Sequence, residues 1–345
     1  MAHESCDCFG RRDFLKTSAG VILTTGAAST LPAGRVWAAP KATEAVAATP
    51  ESFVKLLYES LSPGQREKIC FGWDHTDERG LLRSHVDANW EITDEYVHSD
   101  FYTKDQQALV RKVFEGIIQP EWHERFDQQL LDDAGGFGEA NAIAIFGEPG
   151  TDKFAFVMSG RHMTLRCDGN SADHLAFGGP IFYGHAASDF NEAPDHPGNV
   201  FWPQAVAAND LYKALDGKQQ ELALIKMGMP GESDIAFQGQ SDKFLGIPVT
   251  ELSSDQREHM QQVLQKLIEP YRQSDRDEVV ACLKTQGGLD QCRLAFFEQE
   301  NIGKDTTWDN WRLEGPSFVW HWRGAPHVHV WVNIADDPSV KTNAG

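Results

Sequence analysis

Three histidines, His321, His327 and His329, fall within nine residues near the C-terminus. Side chains alternate along a strand, so His327 and His329 point the same way. The stretch from Gly315 to Asn333 reads as a β-hairpin folded about Gly324, with His321 opposite His327 across a loop from Trp322 to Pro326. In that register three imidazoles share one wall of a two-stranded ribbon. Such a wall suits Zn, Cu or Fe, and also Ni. A one-residue slip would turn His321 to the other face. The plainer alternative is a hairpin whose histidines are exposed or hydrogen-bonded and hold nothing.

A second group, His162, His174 and His185, lies further upstream. A regular strand from Phe154 to Arg166 puts Phe154, Phe156, Met158, His162 and Thr164 on one inward face. An imidazole buried there needs a polar partner. That partner is either a carbonyl, in a core histidine, or a metal shared with the hairpin. His185 ends the glycine-dense run Gly178–His185, and glycine lets backbone approach a ligand closely. The expected metal ligands are therefore His162, His321, His327 and His329. The expected catalytic helpers are His185, Arg161 and Glu314. Arg161 or Arg323 would hold an anionic group, and Glu314 or Asp168 would orient a ligand histidine.

The elements that position these residues read as α+β: a largely antiparallel sheet with helices packed on it and a C-terminal β-hairpin. Ser62, Thr103 and Ser253 each have Gln three residues later, the capping-box arrangement that starts a helix. Apolar residues follow at helical spacing, as in Met260, Val263, Leu264 and Leu267. Asn141 to Phe146 and Phe154 to Met158 read as strands around the turn Gly147–Gly150. Further strands are Asn310 to Leu313, Ser317 to Trp322 and His327 to Ile334. Helices and strands are grouped rather than strictly alternating, which argues against a βαβ fold.

The N-terminus carries Arg11-Arg12 ahead of Phe14 and Leu15, a twin-arginine pattern. An uncharged Gly/Ala/Thr-rich run then leads to small residues ending at Ala38. Residues 1–38 read as a cleaved export signal, 39–50 as a flexible linker and 51–345 as one domain. The run is too short and too weakly apolar for a membrane anchor. The expected partners are the twin-arginine export machinery and a small-molecule ligand, and the expected location is the bacterial periplasm or outside the cell. With 31 basic and 51 acidic residues, the surface disfavours nucleic acid and anionic lipid. Cys6 and Cys8 leave with the signal. Of the remaining four cysteines, Cys282 and Cys292 are the preferred disulfide pair, although three full connectivities are open.

No Gly-x-Ser-x-Gly elbow, P-loop, His-Glu-x-x-His or haem-attachment motif occurs. The ordered series Phe146–Pro149, Ser159–Leu165, Gly178–Pro180, Tyr183–His185, Arg312–Pro316 and His327–His329 resembles the secreted bacterial family of unknown function 3500. Asp77–Arg79 and Asn89-Trp90 upstream resemble it as well. The resemblance implies no established activity, but it implies that His162, His327 and His329 belong together in space. Two functions are expected from these residues. One is an exported metalloenzyme, hydrolytic or redox. The other is a periplasmic ligand- or metal-binding protein without catalysis, its cleft lined by Trp320, Trp322 and Trp331.

Overall fold

The computed structural model describes residues 48–344, apart from 170–173, 190, 233–234, 241–242 and 303–306. The signal read over residues 1–38, and residues 39–47 of the linker read over 39–50, lie outside the described residues, while Thr49 and Pro50 already cap and start the first helix. Eight α-helices occur among those residues: α1 (Pro50–Ser60), α2 (Pro63–Ile69), α3 (Lys104–Ile117), α4 (His123–Ala134), α5 (Trp202–Lys213), α6 (Gly217–Ala223), α7 (Ser254–Ile268) and α8 (Gln273–Thr285). Ser62, Thr103 and Ser253 start α2, α3 and α7 as capping boxes. Each hydroxyl accepts from the Gln backbone N–H, and the Gln side chain accepts from the cap's own N–H. Thr49 with Ser52 and the Asp216 carboxylate with Gln219 form the corresponding boxes for α1 and α6. None of the described helices is long and apolar enough to cross a membrane.

One large mixed sheet collects eleven strands: β1 (Cys70–Phe71), β2 (Asn141–Gly147), β3 (Phe154–Gly160), β4 (Met163–Asp168), β5 (Ile181–His185), β6 (Leu224–Ile225), β7 (Ile247–Pro248), β8 (Arg293–Phe297), β9 (Asn310–Gly315), β10 (Phe318–Arg323) and β11 (Val328–Ile334). Their order is β1-β2-β3-β4-β5-β11-β10-β9-β8-β7, with β6 beside β8. Pairing is antiparallel except for β1 with β2 and β6 with β8. The α+β expectation and the antiparallel bias therefore hold, with two short parallel pairs added.

Alternation separates the two faces of this sheet. One face presents Ile143, Ile145, Phe156, Met158, Tyr183, Trp320, Trp322, Val328 and Val330. It packs in one cluster with Val54, Phe114, Phe126, Leu130, Ala205, Val263 and Leu267 from the helices. The opposite face is covered by loops. Trp90 and Ile92 lie over Ala142, Ala144, Phe146 and Val157, while Val86 and Ile235 lie over Phe182, Val319 and Trp331. Buried polar groups interrupt this second face. Ser159 Oγ accepts from Ile92 N at 2.7 Å, and Thr164 Oγ1 accepts from Trp90 Nε1 at 2.8 Å. Arg166 donates to the backbone carbonyls of Arg83, His85 and Pro180. Burial, with the positive charge of Arg83 nearby, pushes this arginine down to about 9. Its side chain acts as a buried clamp between sheet and covering loop.

Two expectations need correction. The strand read through Phe154 to Arg166 breaks at Arg161-His162, where β3 turns into β4 with Gly160 opposite Met163. Phe154, Phe156 and Met158 do face the helix core, but Thr164 faces the loops, because the turn resets the alternation. The Cys282–Cys292 disulfide is not formed; Cys70, Cys167, Cys282 and Cys292 are free thiols. Cys292 Sγ lies against Gly288 O and beside Gly315, whereas Cys282 interacts with Ala176. Burial pushes both thiols up to about 12.

Candidate metal centre

The C-terminal hairpin forms, but in a different register. Arg323 pairs with His329 and His321 with Trp331, so the connection runs from Gly324 to His327. The shift from the expected pairing is four residues. An even shift preserves the face, so His321, Arg323 and His329 still point to the loop side of the sheet. The connection is anchored by Gly324, whose N–H donates to Asp309 O and Asn310 Oδ1. On its other side β11 pairs with β5, His329 opposite Gly184 and Val328 opposite His185.

His162 reaches this point from the turn between β3 and β4. It adopts a left-handed φ of 57°, uncommon for a residue with a side chain and a frequent mark of functional constraint. Two backbone hydrogen bonds hold it there. Its N–H donates to Ala88 O and its carbonyl accepts from Gly184 N, both at 3.0 Å. Gly184 also supplies the space. A Cβ at that position would meet Val328 O at 2.4 Å and the His162 ring at 3.4 Å. The sequence expectation of a glycine allowing close approach is met here by an imidazole.

Three ring nitrogens converge. His329 Nε2 lies 3.2 Å from His162 Nε2 and 3.0 Å from His327 Nε2. The three ligand atoms all fall within 4.8 Å of one another, and each residue is buried. The Nδ1 sides of two rings meet carboxylates: His162 on Asp133 Oδ1 at 2.7 Å and His329 on Glu232 Oε1 at 3.0 Å. A carboxylate only accepts, so both Nδ1 atoms carry the proton. In the neutral rings both Nε2 atoms then present lone pairs, and these face each other at hydrogen-bond distance with no proton between them. A cation at the common point resolves that repulsion. Four ligands at 2.0–2.1 Å from Zn stand about 3.3 Å apart, close to the 3.0 and 3.2 Å spacings from His329. The donor set therefore fits a transition-metal ion.

The carboxylates are themselves held. Asp133 Oδ1 also accepts from Ala186 N at 3.1 Å, and its Oδ2 accepts from Gln129 Nε2 at 3.1 Å. Glu232 Oε1 lies 3.2 Å from Arg323 Nε. Burial would raise the Glu232 carboxyl, but His329 and Arg323 hold it down at about 2. Burial pushes the His329 imidazolium down to about 3, against the pull of Glu232.

The remaining expected residues divide. His185 sits on the helix side of the sheet, with Nε2 3.2 Å from Asp132 Oδ2 and Nδ1 accepting from Val200 N. It braces the carboxylate next to Asp133 rather than joining the trio. Arg161 Nε lies 3.9 Å from Asp133 Oδ1, behind His162. His321 stands outside the three-nitrogen group, one residue pair along β10. Glu314 is bound to Arg312 Nη2 at 2.9 Å and Gln238 Nε2 at 3.0 Å. It lies two strands and about 13 Å of strand length from His329. Asp168 ends β4, about 20 Å along from His162 at 3.4 Å per residue. Neither orients a ligand histidine. Trp320 and Trp322 are fully buried in the helix-side core, where Trp322 stacks on Trp311, so they line no cleft.

The orienting carboxylates, Asp133 and Glu232, were not among the expected residues. Asp133 carries one usable signal. Asp132 and Asp133 occupy the last turn of α4, which holds no basic residue, and there the helix dipole disfavours negative charge. Acids placed against that dipole mark a site held for another purpose. Glu232, in an irregular loop, carries no comparable signal.

Fold and site together define an α+β protein whose single large sheet carries a buried three-histidine cluster braced by carboxylates. The chain belongs to the family described as Protein of unknown function (DUF3500), whose model matches residues 41–333. No curated protein and no solved structure matches it.

Proposed function

We propose that this chain is an exported metalloprotein in which His162, His327 and His329 hold one transition-metal ion, Zn, Cu or Fe, and that it acts as a hydrolytic or redox metalloenzyme. The observation that carries this reading is the meeting of three Nε2 atoms whose rings are fixed from behind by Asp133 and Glu232. Three protein ligands leave one position of a tetrahedral ion open, the pattern of catalytic rather than structural sites. A bound ion would supply Lewis acidity or activate water at that position. The chain's own part is orientation. Asp133 and Glu232 fix the tautomers of two ligand rings and raise their basicity. Gly184 and the covering loops shield the trio from bulk water. Export through the twin-arginine route, from Arg11-Arg12, accords with a cofactor inserted before translocation.

The test is the metal content of protein exported by its own signal. About one equivalent of a single transition metal is expected, and His162→Ala and His329→Ala should each lower it below a tenth. Folded wild-type protein with no bound metal, and no change in melting temperature on adding Zn, Cu or Fe salts, would overturn the proposal.

A further inference from the structure

Beside the trio, the loop face of the sheet carries an unspent recognition group. Arg323 is the cross-strand partner of His329, so the two side chains rise next to each other from the same face. Its Nε faces Glu232 at 3.2 Å, and its side chain keeps 24% exposure. Among the described residues its two terminal nitrogens make no hydrogen bond. His321 stands two residues before it on the same strand and face. His321 is only 1% exposed, and its Nδ1 has no hydrogen-bond partner. It lies within electrostatic range of Arg312, Glu232, Arg323 and His329. A guanidinium fork and an unpaired imidazole nitrogen thus share one face of β10 beside the three ligand histidines.

We infer that the ligand admitted to this centre bears an oxyanion, a carboxylate or a phosphate group, received by the terminal nitrogens of Arg323 with His321 Nδ1 as second contact. The inference rests on the metal reading above and names its substrate class. Charge supports it. The exposed quarter of the Arg323 side chain leaves its charge open to an incoming anion, although Glu232 and Glu300 also face it. The planar fork of arginine suits two oxygens of one group, which a lysine ammonium does not reproduce. The orphaned nitrogen of His321 points the same way, because a buried polar atom without a partner is costly until a ligand or water meets it.

The experiment uses the full exported chain loaded with cobalt(II), whose visible spectrum reports ligands near the metal. Acetate and inorganic phosphate are titrated separately. A spectral response to either supports the inference, and the anion that binds tighter identifies the class. Arg323→Gln should raise that dissociation constant at least tenfold, about 1.4 kcal/mol, measured with the variant saturated in cobalt. Arg323→Lys should raise it less, because charge is kept and the fork is lost, and it serves as the deciding variant if Arg323→Gln does not fold. His321→Gln should raise it several-fold. Equal dissociation constants in wild type and the Arg323 variants, or no response to either anion, overturn the inference while leaving the metal reading intact. A wild-type chain that takes up no cobalt overturns both.

Discussion

The two faces of the sheet are built from the same strands and do different work. The helix-covered face is apolar almost without interruption, and its aromatic residues share one buried cluster with apolar side chains of the helices. The loop-covered face buries Ser159, Thr164, Arg166, Arg312, Glu314, His321, His329 and Asn333. Buried polar groups need partners, and here the covering loops supply many of them. Helices give a dry, regular lid, whereas loops bring individual backbone and carboxylate groups to chosen points. The histidine trio sits where the two regimes meet. Asp133 comes from the end of a helix on one side, and Glu232 from a loop on the other.

If stability resides mainly on the helix face, damage there should exceed damage at the site. Trp320→Ala removes a fully buried indole from the large core. The expected loss is about 3–5 kcal/mol in denaturant unfolding, with metal content preserved in whatever fraction folds. A loss under about 1 kcal/mol would show that this face is not the main source of stability.

The second way to sharpen the contrast is to weaken the carboxylates without touching a ligand. Asp133→Asn and Glu232→Gln keep shape but remove the charged acceptor. Each should lower metal affinity by about 10–100-fold, read in competition with a chromophoric chelator, with secondary structure unchanged. Equal affinity in wild type and both variants would mean that the rings are held by packing alone. A larger effect from Asp133→Asn than from Glu232→Gln is expected. Asp133 is fully buried and also anchors Ala186 and Gln129, while Glu232 is part-exposed and, besides His329, faces Arg323.

Much of this arrangement is readable in the residues, and the unread parts share a cause. The face of His329 is a local pattern and follows from strand alternation, whereas His327 sits in the connection just before β11. The capping boxes at Ser62, Thr103 and Ser253 are local as well, and all three start helices. The turn at Arg161-His162 escapes because it lacks the Asn-Gly or Asp-Gly signal of a two-residue hairpin loop. It is held by contacts with Ala88 and Gly184, remote in sequence. The hairpin register differs from the expected one by four residues because Gly324 resembles a turn centre, whereas the chain turns around Pro326. Asp133 and Glu232 lie 29 and 97 residues from the histidines they hold. No spacing rule reaches that far.

The smallest expected effect falls on His321, and it tests where the centre ends. His321 shares a face with His329, and sequence spacing counts it as a ligand. The structure gives the converging nitrogens to His162, His327 and His329 and leaves His321 opposite Trp331. His321→Gln should therefore leave metal stoichiometry at about one and shift metal affinity less than either carboxylate substitution does. Loss of most of the metal would make His321 a fourth ligand, closing the position that a catalytic centre keeps open. The protein would then be better described as a metal carrier than as an enzyme.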